Sequence, residues 1–133
     1  MEVVRVNDME TRRGPEDWFT GNVWMDAKTV PKPGAGFFRV FFEAGARTNW
    51  HTHPEGQILY IVTGEGHVGK ENGPVLEVRA GDLVAFAPDE KHWHGAVPHT
   101  YMVHIAISPA INTDGGTDWL EPVTDEEYEI RSG

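Results

Sequence analysis

Six residues in the middle of this chain carry donor atoms at spacings that suit a metal ion. They are His51 and His53 in WHTH, Gln57 four residues on, His92 and His94 in KHWHG, and His104 in YMVHIAIS. Successive side chains of a strand point to opposite faces, so residues two apart share a face. His51 and His53 form one such pair, and His92 and His94 another. Gln57 begins a strand just past the Pro54-Glu55-Gly56 turn and can return to the face of the first pair. His104 shares its strand face with Met102, Ala106 and Ser108. Five imidazoles and one amide can therefore converge on one interior. Neutral imidazole is the commonest protein ligand for Mn, Fe, Co, Ni, Cu and Zn, and an amide oxygen can fill one further position. Three histidines and a glutamine add no negative charge, so a bound ion keeps its full formal charge as a Lewis acid. On a six-coordinate ion they leave two positions for water or substrate, the open arrangement of a catalytic site. As ordinary core residues, the paired histidines would bury four imidazoles without evident partners, which is costly. His67 and His99 stand alone and read as structural or solvated.

The elements that position these residues read as short strands. Residues 37–43 (FFRVFFE) are rich in β-formers, 57–63 (QILYIVT) form a nearly unbroken apolar run, and 83–87 and 101–108 read the same way. Residues 23–26 and 75–79 are weaker strand candidates. Gly, Pro, Asn and Asp cluster at 32–36, 54–56, 71–74, 80–82 and 88–91, where the backbone must reverse, and Asn72-Gly73 suits a hairpin tip. GAG at 34–36 and GEG at 64–66 read as turns, not phosphate loops, because no helix start follows either. No helix longer than two turns fits between 34 and 109. Only the tail at 124–130 (TDEEYEI) reads as helical, with Thr124 as N-cap, Glu127 three residues on, and the acidic run at 125–129 as a solvated face. Many short antiparallel strands at close spacing indicate an all-β sandwich or closed barrel. The expectation is one domain over 1–133 with its barrel core at about 34–109.

Bulk properties narrow the functions. Eleven basic residues against 21 acidic ones give a net charge of −10, which repels phosphate backbones and anionic lipid. Nucleic-acid and membrane-surface roles are therefore not expected, and the partner is a small-molecule substrate. With no cysteine in the chain, disulfides, thiolate metal sites and cysteine nucleophiles are excluded. The stretch MEVVRVNDMETRRG lacks the apolar core of a signal peptide, and no segment approaches about 20 apolar residues, so a cytoplasmic location is expected.

These spacings resemble a known family. Gly45, five residues, His51-x-His53, three residues, Gln57, six residues and Gly64 resemble the first cupin motif, with Gln57 where that motif usually has Glu. Residues 81–92 resemble the second: glycine, hydrophobic strand, proline turn, histidine. Asp89 replaces the usual glycine there, and Ala96 the trailing asparagine. The segments GPEDWFTG, FEAGARTNWHTHPEGQ, GDLVAFAPDEKHWHGA and DWLEPVTDEEY extend the likeness over nearly the whole chain. They are similar to small single-domain bacterial cupins, among them manganese-dependent hydroxynitrile lyases and carboxymuconolactone decarboxylase-associated cupins. The resemblance implies a cupin jelly-roll barrel and one divalent metal per chain. His51, His53, Gln57 and His92 would hold Mn(II) there, and Fe(II), Ni(II), Zn(II) or Cu(II) suit the same donors. It also implies a homodimer or homotetramer, with the stretch 18–25 packed across the interface.

The resemblance further implies cyanohydrin cleavage or formation. A metal with two free sites lowers the pKa of a bound hydroxyl. His94 or His104, held off the metal, takes the proton, and the other histidine serves the leaving cyanide. Parity and resemblance together nominate Phe38, Val40, Thr48, Ala106 and Ser108 as substrate contacts, with the bulk of Phe38 narrowing the space. Two other readings fit the same donors: a cupin dioxygenase, which Fe(II) or Cu(II) would favour, and a non-catalytic small-molecule-binding protein, which would have a filled metal shell or a closed mouth.

Overall fold

Aromatic and β-branched runs separated by turn residues leave the backbone few ways to satisfy its hydrogen bonds other than strand pairing. The computed structural model describes residues 1–30, 34–109 and 116–129. Within them lie β1 Thr11–Arg13, β2 Phe19–Thr20, β3 Val23–Val30, β4 Ala35–Phe42, β5 Arg47–Thr48 and β6 His51–Thr52. There follow β7 Gln57–Lys70, β8 Val75–Arg79, β9 Leu83–Phe86, β10 His92–Ala96, β11 Met102–Ser108 and β12 Asp118–Trp119. The helix α1, Asp125–Tyr128, and a single 3-10 turn at Val6–Asp8 are the helical elements among the described residues. Every strand pairing among the described residues is antiparallel. The all-β, antiparallel expectation is borne out.

One strand belongs to both layers of the fold. The first half of β7 pairs with β11 and β9, in the layer β1-β3-β4-β11-β7-β9. Its second half pairs with β10 and β8, and β10 in turn carries β5 and β6, with β2 and β12 outside them. The change of layer happens at residues 62–64. Val103 pairs with Thr63 but His104 with Ile61, so Val62 is an extra residue, a β-bulge. Gly64 then takes φ +84. The expected turn at 64–66 is instead a bend inside a continuous strand. The interior parity of β7 flips across it: Gln57, Leu59 and Ile61 face inward before it, and Val68 faces inward after it, opposite His94.

The core lies between the layers. Phe42, Leu59, Ile61 and Met102 are fully buried there, with Val40, Val68 and Phe86 around them. All five residues of β10 are buried because both of its faces are covered. His92 and His94 look inward, while Trp93 packs outward with Trp50, Val123 and Tyr128 under the C-terminal segment. Burying one such aromatic side chain, roughly 200 Å² of apolar surface, is worth about 5 kcal/mol before entropy is subtracted. Thr124 caps α1 and forms the expected capping box with Glu127. The helix is only partly the solvated face expected of it, since Tyr128 is buried. The end of the expected helical run, Ile130, and residues 32 and 33 of the expected first turn lie outside the described residues. Asp89, where the second motif usually has glycine, adopts φ +61, so the glycine-like turn geometry is kept. No helix among the described residues is long and apolar enough to cross a membrane.

The bend at Gly64 yields a test. A Cβ there would lie 2.0 Å from the Tyr101 carbonyl oxygen and 2.9 Å from Met102 Cα, whereas at Gly45, with φ +80, nothing lies within 4 Å. Gly45→Ala should cost only the left-handed backbone penalty, about 1–2 kcal/mol. Gly64→Ala should cost about 3 kcal/mol or more, because rigid backbone must also move. Denaturant unfolding of both variants checks this, and equal losses would remove the close approach from the account.

Candidate metal centre and adjoining cavity

His51 on β6 pairs directly with His92 on β10, and each ring is held by the backbone just before its strand. The Nδ1–H of His51 donates to the Asn49 carbonyl at 2.9 Å, and that of His92 to the Glu90 carbonyl at 2.7 Å, both two residues back. His53 finds its acceptor far along the chain: Nδ1–H donates to the Gly116 carbonyl at 3.0 Å, with Thr117 Oγ1 at 3.2 Å. A ring proton fixed on Nδ1 leaves the Nε2 lone pair free for a metal. The three imidazoles are buried and their ligand atoms lie within 4.8 Å of one another. Their ring centroids are 4.3 Å apart for His51 and His92, 5.0 Å for His51 and His53, and 5.3 Å for His53 and His92.

The unsatisfied atoms of the donor set suit a metal ion. The buried Nε2 atoms of His53 and His92 and the Oε1 of Gln57 have no hydrogen-bond partner. Gln57 Nε2 donates to Ser108 Oγ at 3.4 Å, which leaves the amide oxygen as the free end. Acceptors left buried and unpaired cost about 1–3 kcal/mol each, and a cation among them offsets that cost. Burial pushes the pKa of every one of these histidines down: His51 well below its ordinary value, His53 below it, and His92 to about 3. Neutral imidazoles are the form that ligates. The site fits a divalent transition metal.

Beside it lie His94 and His104, 3.1 Å apart from Nδ1 to Nε2. Their outer nitrogens, His94 Nε2 and His104 Nδ1, are buried without partners. The Thr48 hydroxyl accepts from the His94 backbone N–H at 3.1 Å and so pins that strand. Burial holds His94 well below the ordinary imidazole pKa and His104 at about 3. Both rings line a cavity of about 390 Å³.

Of the residues nominated from sequence as substrate contacts, Phe38, Val40, Thr48 and Ala106 line this cavity. Ser108 does not; it sits buried beside Gln57. Of the metal-site residues, His51, His53 and Gln57 line it, while His92 lies behind them, stacked on Phe86 at 3.6 Å. His67 points to the outer side of β7, against Tyr128, and His99 is exposed near Glu65 at 3.3 Å. Sequence reasoning missed the far wall, Trp18, Met25, Thr117 and Trp119. Trp18 stacks on Trp119 at 5.0 Å and 8°, and Trp119 packs on His51 at 4.7 Å. Of the stretch 18–25, Trp18, Phe19 and Met25 line the cavity. The available signal was the likeness of GPEDWFTG and DWLEPVTDEEY, the two segments that carry these tryptophans.

Comparison with known proteins bears on the fold and the family. Residues 38–107 match the cupin domain family. The chain is 50% identical to an (R)-mandelonitrile lyase of Granulicella tundricola over 132 residues, covering 96% of this chain and 98% of that protein. A cupin-like protein from Thermotoga maritima superposes with a TM-score of 0.81 at 41% identity, covering 87% of this chain and 89% of its own. A predicted oxalate decarboxylase, also from Thermotoga maritima, follows at 0.72 and 25% identity, covering 83% and 100%.

The depressed pKa values set an acid limit on the metal-free protein. For His92 and His104, between about pH 6.5 and pH 3 the unfolded chain protonates the imidazole and the folded one does not. Stability therefore falls as pH falls through that window, by up to about 1.4 kcal/mol per pH unit per histidine. Urea unfolding of the metal-free protein at pH 7.5, 6 and 5 should give falling midpoints. His104→Gln should flatten the slope; an unchanged slope would mean that His104 is already protonated or solvent-accessible in the fold.

Proposed function

The chain belongs to the cupin domain family, and from that premise we propose that it is a metal-dependent lyase of the hydroxynitrile lyase type, acting on a small cyanohydrin or its parent aldehyde. The observation that carries the reading is the hydrogen-bonded His94–His104 pair, which borders both the candidate metal centre and an apolar cavity. Half of the residues being identical to those of a mandelonitrile lyase supports the same class of substrate. His51, His53, Gln57 and His92 would hold the ion, Mn(II) on this reading. When bound, it supplies Lewis acidity toward a substrate hydroxyl or carbonyl.

The chain's own residues then manage two protons. In a neutral pair with one bridging proton, one outer nitrogen is bare and the other carries a proton, whichever way the bridge points. The bare nitrogen removes the cyanohydrin hydroxyl proton. The C–C bond to the nitrile breaks, its electron pair leaving on cyanide, and the other outer N–H protonates the cyanide. The bridging proton shifts along the 3.1 Å hydrogen bond, so the pair ends neutral with its tautomers exchanged. A neutral relay suits a site where burial opposes an imidazolium. The reverse sequence adds hydrogen cyanide to an aldehyde. Apolar walls from Phe38, Val40, Ala106, Trp18 and Met25 exclude water and take the organic part of the substrate.

Cyanide release from mandelonitrile by Mn(II)-loaded protein tests the reading. His51→Ala should lose metal and activity together. His94→Ala and His104→Ala should keep metal and lose about 10²–10⁴ in kcat. If the loaded protein releases no cyanide but consumes oxygen when loaded with Fe(II), the dioxygenase assignment replaces this one. Full activity in His94→Ala and His104→Ala would remove the proton relay.

A further inference from the structure

Residues 116–129 run as a strap across the outside of β6 and β10, and they touch two of the three imidazoles of the candidate centre. At the near end, the Gly116 carbonyl and the Thr117 hydroxyl face His53 Nδ1, and the Trp119 ring lies 4.7 Å from that of His51. Strap and β6 pair as Asp118 with Thr52 and Trp119 with His51. Backbone bonds from Leu120 N–H to the Trp50 carbonyl, 2.8 Å, and from Trp50 N–H to the Glu121 carbonyl, 2.9 Å, extend the lacing. The Asn49 side chain donates to the carbonyls of Asp17 and Leu120, while the Asn49 backbone carbonyl receives the His51 proton; the residue is 4% exposed.

The far end is fastened by a residue that the reaction does not use. Arg47 is 6% exposed, which is costly for a guanidinium, and it stands on β5 one residue before Thr48. Its Nη2 donates to the Val123 carbonyl at 2.9 Å and to Asp125 Oδ1 at 2.8 Å, and its guanidinium lies 4.5 Å over the Tyr128 ring. The Tyr128 hydroxyl donates to the Ala96 carbonyl on β10, the strand of His92 and His94. Asp125 is largely exposed, so the ion pair alone contributes little. A buried cation that binds a carbonyl, a carboxylate and an aromatic face of one segment fixes the position of that segment.

Resting on the metal reading above, we propose that Arg47 is a positioning residue for the metal centre, acting at a distance through the strap. By holding 123–128 against β5 and β10, it keeps the Gly116 carbonyl and the Thr117 hydroxyl on His53, and so keeps the His53 lone pair aimed at the ion. His92 gives its ring proton to the Glu90 carbonyl, in the loop that leads into β10, so its acceptor is not part of the strap. Outer partners of metal ligands carry about 10–100-fold in affinity, so the effect is measurable on binding alone.

The test is Mn(II) titration of the metal-free protein at fixed pH, following the EPR signal of the free ion, with thermal unfolding of the same metal-free samples. Thr117→Val, at the near end, should raise the Mn(II) dissociation constant several-fold with little change in Tm. Arg47→Met should raise it about tenfold, and Arg47→Lys should recover part of the loss. Val78→Ala, a core change outside the strap, should lower Tm and leave the constant unaltered. If Arg47→Met and Thr117→Val both bind Mn(II) as the unsubstituted protein does, the strap has no part in positioning and the inference is overturned. Should Arg47→Met fail to fold, unaltered binding in Thr117→Val overturns it alone. If the unsubstituted protein binds no Mn(II), the metal reading falls and takes this inference with it.

Discussion

The site depends on where three ring protons are kept. His51, His53 and His92 each give the Nδ1 proton to a backbone carbonyl, which turns three Nε2 lone pairs toward one another, those of His53 and His92 buried without a partner. Without an ion that arrangement is unfavourable, since each unpaired acceptor costs about 1–3 kcal/mol. The fold can hold it because the carbonyls belong to the loops leading into β6 and β10 and to a laced strap, whose stability comes from elsewhere. That stability comes from the core around Phe42, Leu59 and Met102, and from Trp50, Trp93, Val123 and Tyr128 beneath the strap.

How far the sequence disclosed this follows from the range of each interaction. The histidine pairs were legible because strand parity is local, and because two of the three carbonyl acceptors lie two residues before their imidazoles. The His53 acceptor is 63 residues away and left no local trace. Strands of two residues, such as β2, β5, β6 and β12, are too short for a hydrophobic period, so the aromatic wall they carry went unseen. Gly64 read as a turn because glycine marks both reversals and bends; only the pairing of both halves of β7 with different neighbours separates the two. Ser108 shared a face with His104 by parity, yet it lies at the Gln57 end of β11 and not on the cavity.

Neutral ligands have a consequence for the energetics of the centre. The chain carries a net charge of −10, but among the described residues no carboxylate joins the histidine cluster. A bound ion would therefore keep more of its Lewis acidity than one held by a glutamate, and would be held less tightly by Coulombic attraction. Affinity must then come from geometry: imidazoles already oriented, already neutral, and already stripped of water. That is why carbonyls and a strap so far from the chemistry matter here, and why depressed imidazole basicity and metal readiness have one cause, burial.

The bulge at Val62 ties the metal centre to the proton pair. His94 stands on β10 and His104 on β11, strands that among the described residues share β7 as a pairing neighbour. Without an inserted residue, one parity would run the length of β7. Either Gln57, Leu59 and Ile61 would face inward and Val68 outward, or the reverse. The strand could then not present its amide to the metal site at one end and pack behind His94 at the other. The extra residue flips the parity between those two demands, and it does so beside His104, whose partner becomes the buried Ile61. A single irregularity in the longest strand among the described residues thus lets one interior hold the candidate amide donor, three candidate imidazole donors and the His94–His104 pair at hydrogen-bond distance.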